Sequence, residues 1–207
     1  DIYRHDYEEY VTGSTSTKVT ANSTATTLFD STFYVLTSDR NVYKCLDNDG
    51  NTASTVEPTG TSTSVITTGD GYKWKYMYTL SAAQQSNFLS TDFMAVATNS
   101  TVSSAATDGG IDIVKIKTAG SSYTVSGGGT SGTITNVPIR GDGSSAVCSV
   151  TITSGAITAV TITTNGSGYT SGYIRNADII GATGAGGAGS GAELDVIIPP
   201  KGGHGFN

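Results

Sequence analysis

The side chains able to do covalent or acid–base chemistry are few in this chain, and they are far apart. There are two histidines, His5 and His204, near opposite ends. As a pair they would make a general acid and base, but each sits in a polar or glycine-rich terminal segment, where an exposed loop histidine is the plainer reading. The two cysteines, Cys45 and Cys148, lack the close spacing of a metal site. One long-range disulfide would fit them, and two buried free thiols fit better. Asp47-Asn48-Asp49-Gly50-Asn51 alternates oxygen donors like the start of a calcium loop. However, the glycine comes fourth rather than sixth, and Pro58 stands where a bidentate glutamate is required. A turn built on Asp-Gly is therefore expected. Glycan hydrolysis would need two carboxylates roughly 5 to 10 Å apart across a cleft. The candidates Asp112, Asp142, Asp178, Glu193 and Asp195 are not kept between the two copies of the internal repeat described below. Gly127-Gly128-Gly129 and the glycines from Gly184 to Gly191 lack the lysine and following helix of a phosphate cradle, so they read as loops. No nucleophile elbow with partner Asp and His in suitable context, Walker loop or zinc-protease motif occurs. The expectation is a protein that is not an enzyme, with no catalytic, cofactor-binding or metal-ligating residue.

Binding chemistry has more candidates. Arg4, Asp6, Glu8 and Glu9 stand among Tyr3, Tyr7 and Tyr10, either a partner-binding patch or a solvated end. Tyr123, Tyr169 and Tyr173, with neighbouring Ser, Thr and Asp, have the residue types that stack on and hydrogen-bond to sugar rings. The formal charge of -6 opposes nucleic-acid binding, which needs clustered cations to release counterions. Lys73 and Lys75 are the one local cationic cluster, and flanking Trp74 they read as the solvent side of a half-buried strand. No apolar run approaches the roughly 18 residues of a membrane span, and no signal peptide is visible. The chain opens at Asp1 rather than methionine and stops at Asn207, which reads as a fragment or processed product.

The elements that would position these residues are strands. Only 14% of the chain is charged, while 36% is hydrophobic with 27 glycines and 11 tyrosines, a folded, hydroxyl-rich β composition of the kind common in extracellular and virion proteins. Residues 33–36 and 41–46 form one expected hairpin, and 64–67 with 72–78 form another across Gly69-Asp70-Gly71. Alternation places Tyr72, Trp74, Tyr76 and Tyr78 on a single face. Ser81 to Gln84 is a capping box opening a short helix. Asn99 to Asp108 is aperiodic and marks a domain boundary.

Beyond it the chain repeats itself. Ile111, Val114, Ile116, Gly120, Tyr123 and Thr124 recur after 46 residues as Ile157, Val160, Ile162, Gly166, Tyr169 and Thr170, and Gly143, Ala146 and Val150 recur as Gly189, Ala192 and Val196. These are strand aliphatics, turn glycines and a tyrosine, the residues a fold needs. Cys148 takes the place of Leu194, a small core position. A break of alternation at Ile113-Val114 and Ala159-Val160 predicts a bulge shared by both copies.

Asn41 to Asn48, Ser54 to Thr61 and Asp70 to Tyr78, followed by Phe88-Leu89 and Asp92 to Val96, resemble the dimer-forming baseplate wedge protein of T-even-like contractile-tailed bacteriophages and its marine myophage relatives. Pro199 to Gly205 resembles the same core resuming. The resemblance implies a mainly β fold: a layered antiparallel β-sandwich core with short loop helices, covering residues 1–107 and resuming at 199–207. An inserted small β domain at 108–198, made of 46-residue repeats at 109–153 and 155–199, departs from the T-even pattern. It implies a structural virion component of the tail baseplate, assembled in the host cytoplasm. Such a component would form a homodimer, contact other wedge subunits and act in assembly and tail contraction. The alternative is a glycan-binding or adhesive β-repeat module on a tail or cell surface.

Overall fold

The computed structural model describes residues 2–3, 7, 33–50 and 52–206. The fold is mainly β, with several antiparallel sheets and few helices among these residues. The chain divides into two compact units, 1–105 with 205–207, and 106–204. Pro199 to His204 thus group with the second unit, whereas the sequence suggested that they rejoin the first.

The first unit contains β1 (Ile2–Tyr3), β2 (Tyr34–Leu36), β3 (Asn41–Asp47), β4 (Ile66–Thr67), β5 (Lys73–Thr79), α1 (Ala82–Phe88), β6 (Phe93–Met94) and α2 (Ser100–Ala105). Strands β2-β3-β5-β4 form an antiparallel sheet, and β1 pairs with β6. Both expected hairpins are present, the first turning at Arg40 with φ 64°. Asp49 and Gly50, at φ 46° and 69°, make a turn at the end of β3, but β3 pairs onward with β5 across a long loop. α1 starts at the capping box, Ser81 Oγ accepting from the Gln84 amide at 3.2 Å and the Ser81 amide donating to Gln84 Oε1 at 2.9 Å.

This sheet is covered on both faces. Val35, Tyr43, Trp74 and Tyr76 pack with Tyr7, Tyr72 and Val102, while Leu36, Val42, Met77 and Tyr78 pack with Leu80, Met94 and Ala95. Two sequence expectations change as a result. Val42 pairs with Tyr78 but Tyr43 with Tyr76, leaving Met77 as an extra residue. That bulge turns Tyr78 away from the Tyr72, Trp74 and Tyr76 face. Lys75 is buried rather than solvent-facing, because β5 is an interior strand; its Nζ donates to the Thr63 carbonyl at 2.6 Å. Directly across the ladder Lys44 lies 5.7 Å from the Tyr34 ring centre, its pKa lowered by burial.

The second unit contains β7 (Ile113–Ser121), β8 (Gly132–Pro138), β9 (Arg140–Gly141), β10 (Val147–Thr153), β11 (Ala156–Thr164), β12 (Gly172–Tyr173), α3 (Asn176–Ile180) and β13 (Ser190–Ile197). Its sheets run β11-β10-β8, β13-β7 and β12-β9 around one core. Ile116 pairs with Leu194 and Val114 with Val196; 46 residues away in each direction, Ile162 pairs with Cys148 and Val160 with Val150. The first strand of each sequence copy therefore bonds to the last strand of the other. One register shift, beside Lys117 and Thr163, recurs in both ladders. The shift expected near Ile113 and Ala159 occurs in the second copy, between Ile157 and Ala159; in the first copy the ladder begins only at Ile113.

Tyr123 and Tyr169 fix the crossing. A Cβ on Gly189 would lie 2.1 Å from the Tyr123 ring and one on Gly143 2.3 Å from the Tyr169 ring, so each tyrosine lies on the other copy's glycine. Tyr169 donates to the Ile139 carbonyl at 2.9 Å and accepts from the Ala146 amide at 3.3 Å, and Tyr123 donates to Asn176 Oδ1 at 2.5 Å.

Candidate functional site

The fold consumes most of the residues nominated from sequence. Tyr123 and Tyr169 are buried and cannot stack on a ligand. Tyr7 is buried too, its hydroxyl 3.1 Å from Ser54 Oγ, so it presents nothing to a partner; Arg4, His5, Asp6, Glu8, Glu9, Tyr10 and Asn51 lie outside the described residues. His204 is buried rather than exposed. Cys45 is a half-buried free thiol, and Cys148 a fully buried one whose pKa burial pushes up to about 11, so its reactive thiolate is suppressed. Asp47, nominated for calcium, pairs with Lys73 Nζ at 3.5 Å.

The carboxylates are likewise bound to separate partners. Asp142 accepts from the amides of Thr170 and Ser171 and from both their hydroxyls, which holds its pKa below the usual range and fastens one turn. Asp112 accepts from Asn165, and Glu193 lies 3.5 Å from Lys117 Nζ. In the first unit Asp70 accepts from Ser54 Oγ at 2.6 Å, Thr68 Oγ1 at 2.5 Å and the amides of Thr55 and Val56. Burial opposes its charge, but these bonds outweigh it and lower its pKa to about 2. Asp70 is a fastener between loop and hairpin. Among the described residues no group of three His, Cys, Asp or Glu could hold a metal ion.

One cluster faces outward. Tyr173 on β12 pairs directly with Arg140 on β9. Arg175, two residues on and still extended at φ -88° and ψ 146°, falls on the same side of its strand as Tyr173. Both guanidinium groups converge on Asp178 in α3. Arg140 Nη2 lies 2.8 Å from Oδ1 and its Nε 3.3 Å from Oδ2; Arg175 Nε lies 2.9 Å from Oδ2 and its Nη2 3.3 Å from Oδ1. The Asp178 side chain is only 8% exposed, against 46% and 56% for the arginines, and Tyr173 is 53% exposed. The two arginines hold the Asp178 carboxyl well below its usual pKa. The cluster carries a net single positive charge with an aromatic ring beside it.

No protein-family model, curated protein or solved structure matches the chain. Tyr173 was visible in the sequence, whereas Arg140, Arg175 and Asp178 carry no motif. The repeat itself holds the signal that finds them. Shifted by 46 residues, Arg140, Tyr173, Arg175 and Asp178 correspond to Gly186, Gly127, Gly129 and Gly132. Each of the four has glycine as its counterpart, Gly186 in the second copy and Gly127, Gly129 and Gly132 in the first.

Proposed function

We propose that the chain is a structural subunit of a contractile phage tail baseplate wedge, working through protein contacts in virion assembly and tail contraction. The observation that carries this reading is the clustering of the resemblance. Its phrases on β3, on β5 and on the stretch from the end of α1 through β6 all fall in the first unit, while Pro199 to His204 group with the second. The Ser54 to Thr61 phrase is bonded to the same sheet, by Asp70 and by Tyr43 Oη donating to the Gly60 carbonyl at 2.6 Å. Such a subunit has a layered β-sandwich core and an inserted module of two 46-residue repeats; the matched ladder registers support the second of these.

A homodimer is part of the reading. Phe88, Phe93 and Val96, 51%, 41% and 58% exposed, follow one another at the end of α1 and around β6 and offer an apolar surface for a second copy. Native mass spectrometry of the full chain tests this: a dimer is expected, reduced to monomer by Phe88→Ser with Phe93→Ser. A strict monomer that binds no other baseplate subunit overturns the reading.

A second reading, a glycan-binding or adhesive module, keeps one of its three tyrosines. Tyr173 is exposed beside two ordered arginines, and that observation favours it.

A further inference from the structure

We propose that Tyr173, Arg140 and Arg175 form a binding subsite for an acidic saccharide, a pyranose ring carrying a carboxylate. The proposal rests on the glycan-binding reading and is independent of the baseplate one.

The donors are preorganised. Each guanidinium uses Nε and Nη2, one edge of its fork, on Asp178. The Nη1 end of each fork is not used there and points away from Asp178, leaving N–H donors for a ligand carboxylate. Because Asp178 is nearly buried and bonded to both groups, it restricts their rotamers before a ligand arrives, so less side-chain entropy is lost on binding. Asp178 neutralises one of the two charges, and the second remains for the incoming anion. Tyr173, directly opposite Arg140 and on the same side as Arg175, supplies the flat apolar face on which a pyranose ring stacks.

Two observations set this apart from a structural cluster or a protein-docking site. These side chains are not part of what the repeat shares, since the positions 46 residues away are Gly186, Gly127, Gly129 and Gly132. Tyr173 is also the sole exposed large hydrophobic among the described residues of the second unit. A protein interface needs an apolar core spread over roughly 800 Å² per partner. A single ring flanked by fixed polar forks suits one sugar residue instead.

The test is a glycan array followed by calorimetry on the full chain, with neutral and hexuronate-containing oligosaccharides as probes and a polyglutamate peptide as competitor. Hexuronate binding is expected to exceed neutral binding at least tenfold and to weaken with salt. Tyr173→Ala should lower affinity tenfold or more, with Tyr173→Phe restoring it. Arg140→Gln and Arg175→Gln should abolish the preference for acidic over neutral sugars, while circular dichroism spectra at the assay temperature match the parent, each variant retaining one arginine on Asp178. Binding of neutral and acidic sugars alike, unaffected by the arginine substitutions, overturns the subsite and leaves the glycan reading standing. No saccharide binding at all removes both. Tight binding of polyglutamate alone, sensitive to the same substitutions, reassigns the cluster to an acidic protein partner and overturns the proposal.

Discussion

The two copies of the repeat diverge most between residues 132–138 and their counterparts 178–184. In the first copy Gly132–Pro138, with alternating Thr133, Ile134, Thr135 and Val137, makes β8 and extends the β10–β11 sheet. In the second, Asp178-Ile179-Ile180-Gly181 lies in α3 and its cap, and among the described residues that edge receives no strand. The tyrosines, glycine seats and crossed ladders are held in common on either side of this divergence. The arginine–tyrosine cluster borders this divergence: Asp178 lies within it, and Arg140, Tyr173 and Arg175 flank it. Shared positions carry the fold, and the exposed charged cluster is built from positions that the copies do not share.

The largest expected effect tests the shared part. Tyr169→Ala and Tyr123→Ala each remove a buried ring, and each should cost on the order of 3–5 kcal/mol in urea melts. Near-equal losses would show that the copies bear equal weight, and a loss under about 1 kcal/mol at one site would show that it does not close the crossing. Next come the glycines. Gly143→Ala and Gly189→Ala drive a methyl group into the facing rings and should cost about 1–3 kcal/mol. Gly189 is expected to be the worse, because its φ of 128° disfavours any L side chain.

The hydroxyls should separate the copies. Tyr169→Phe leaves the Ile139 carbonyl and Ala146 amide without their bonds inside the core, at a cost of about 1–3 kcal/mol. Tyr123→Phe loses its bond to the half-buried Asn176 side chain and should cost less, about 1 kcal/mol. Equal values would mean that the polar environments of the two rings do not differ.

The smallest effect contrasts the units through acid. Asp70 has its folded pKa lowered from 3.8 to about 2, so the stability its charge contributes is fully present above pH 3.8 and is lost as pH falls towards 2. Asp142 and Asp178 are depressed further and add the same sign of dependence to the second unit. Asp70→Asn should therefore flatten the fall in first-unit stability between pH 4 and 2, followed by Trp74 fluorescence. An unchanged acid slope in that variant would transfer the effect to other carboxylates.

The sequence made β3 and β5 legible because β-branched and aromatic residues alternate there, and the Ser81–Gln84 box marked α1 directly. It misplaced Tyr78 because a single extra residue, Met77, inverts every face beyond it, and no residue type announces such a bulge. It misjudged Lys75 because alternation reports one buried face, whereas an interior strand covered on both sides buries its polar positions too. α2 and α3, six and five residues long, are too short for helical periodicity; the available sign for α2 was Asn99, whose Oδ1 caps the amides of Thr101 and Val102. The repeat tyrosines were legible as structural through their recurrence. The site was not, because its arginines matter through convergence on Asp178, a three-dimensional fact, and only the four opposing glycines hinted at it.

The pairing of β7 with β13 also has a mechanical consequence. The opening strand of the second unit lies antiparallel to its closing strand, Ile113 opposite Ile197, and just outside them the Gly202 amide bonds Asp108 Oδ1 at 2.6 Å. The chain thus enters and leaves this unit side by side, a geometry that lets ninety-odd residues interrupt another domain with little distortion of its host. Tension applied through the flanking chain meets that ladder end-on and loads its hydrogen bonds one rung after another. Asp108, Gly109 and Ile111 are also bonded to Gly168, Tyr169 and Asn165 just beyond β11, so that load is shared between the seam and this neighbouring segment.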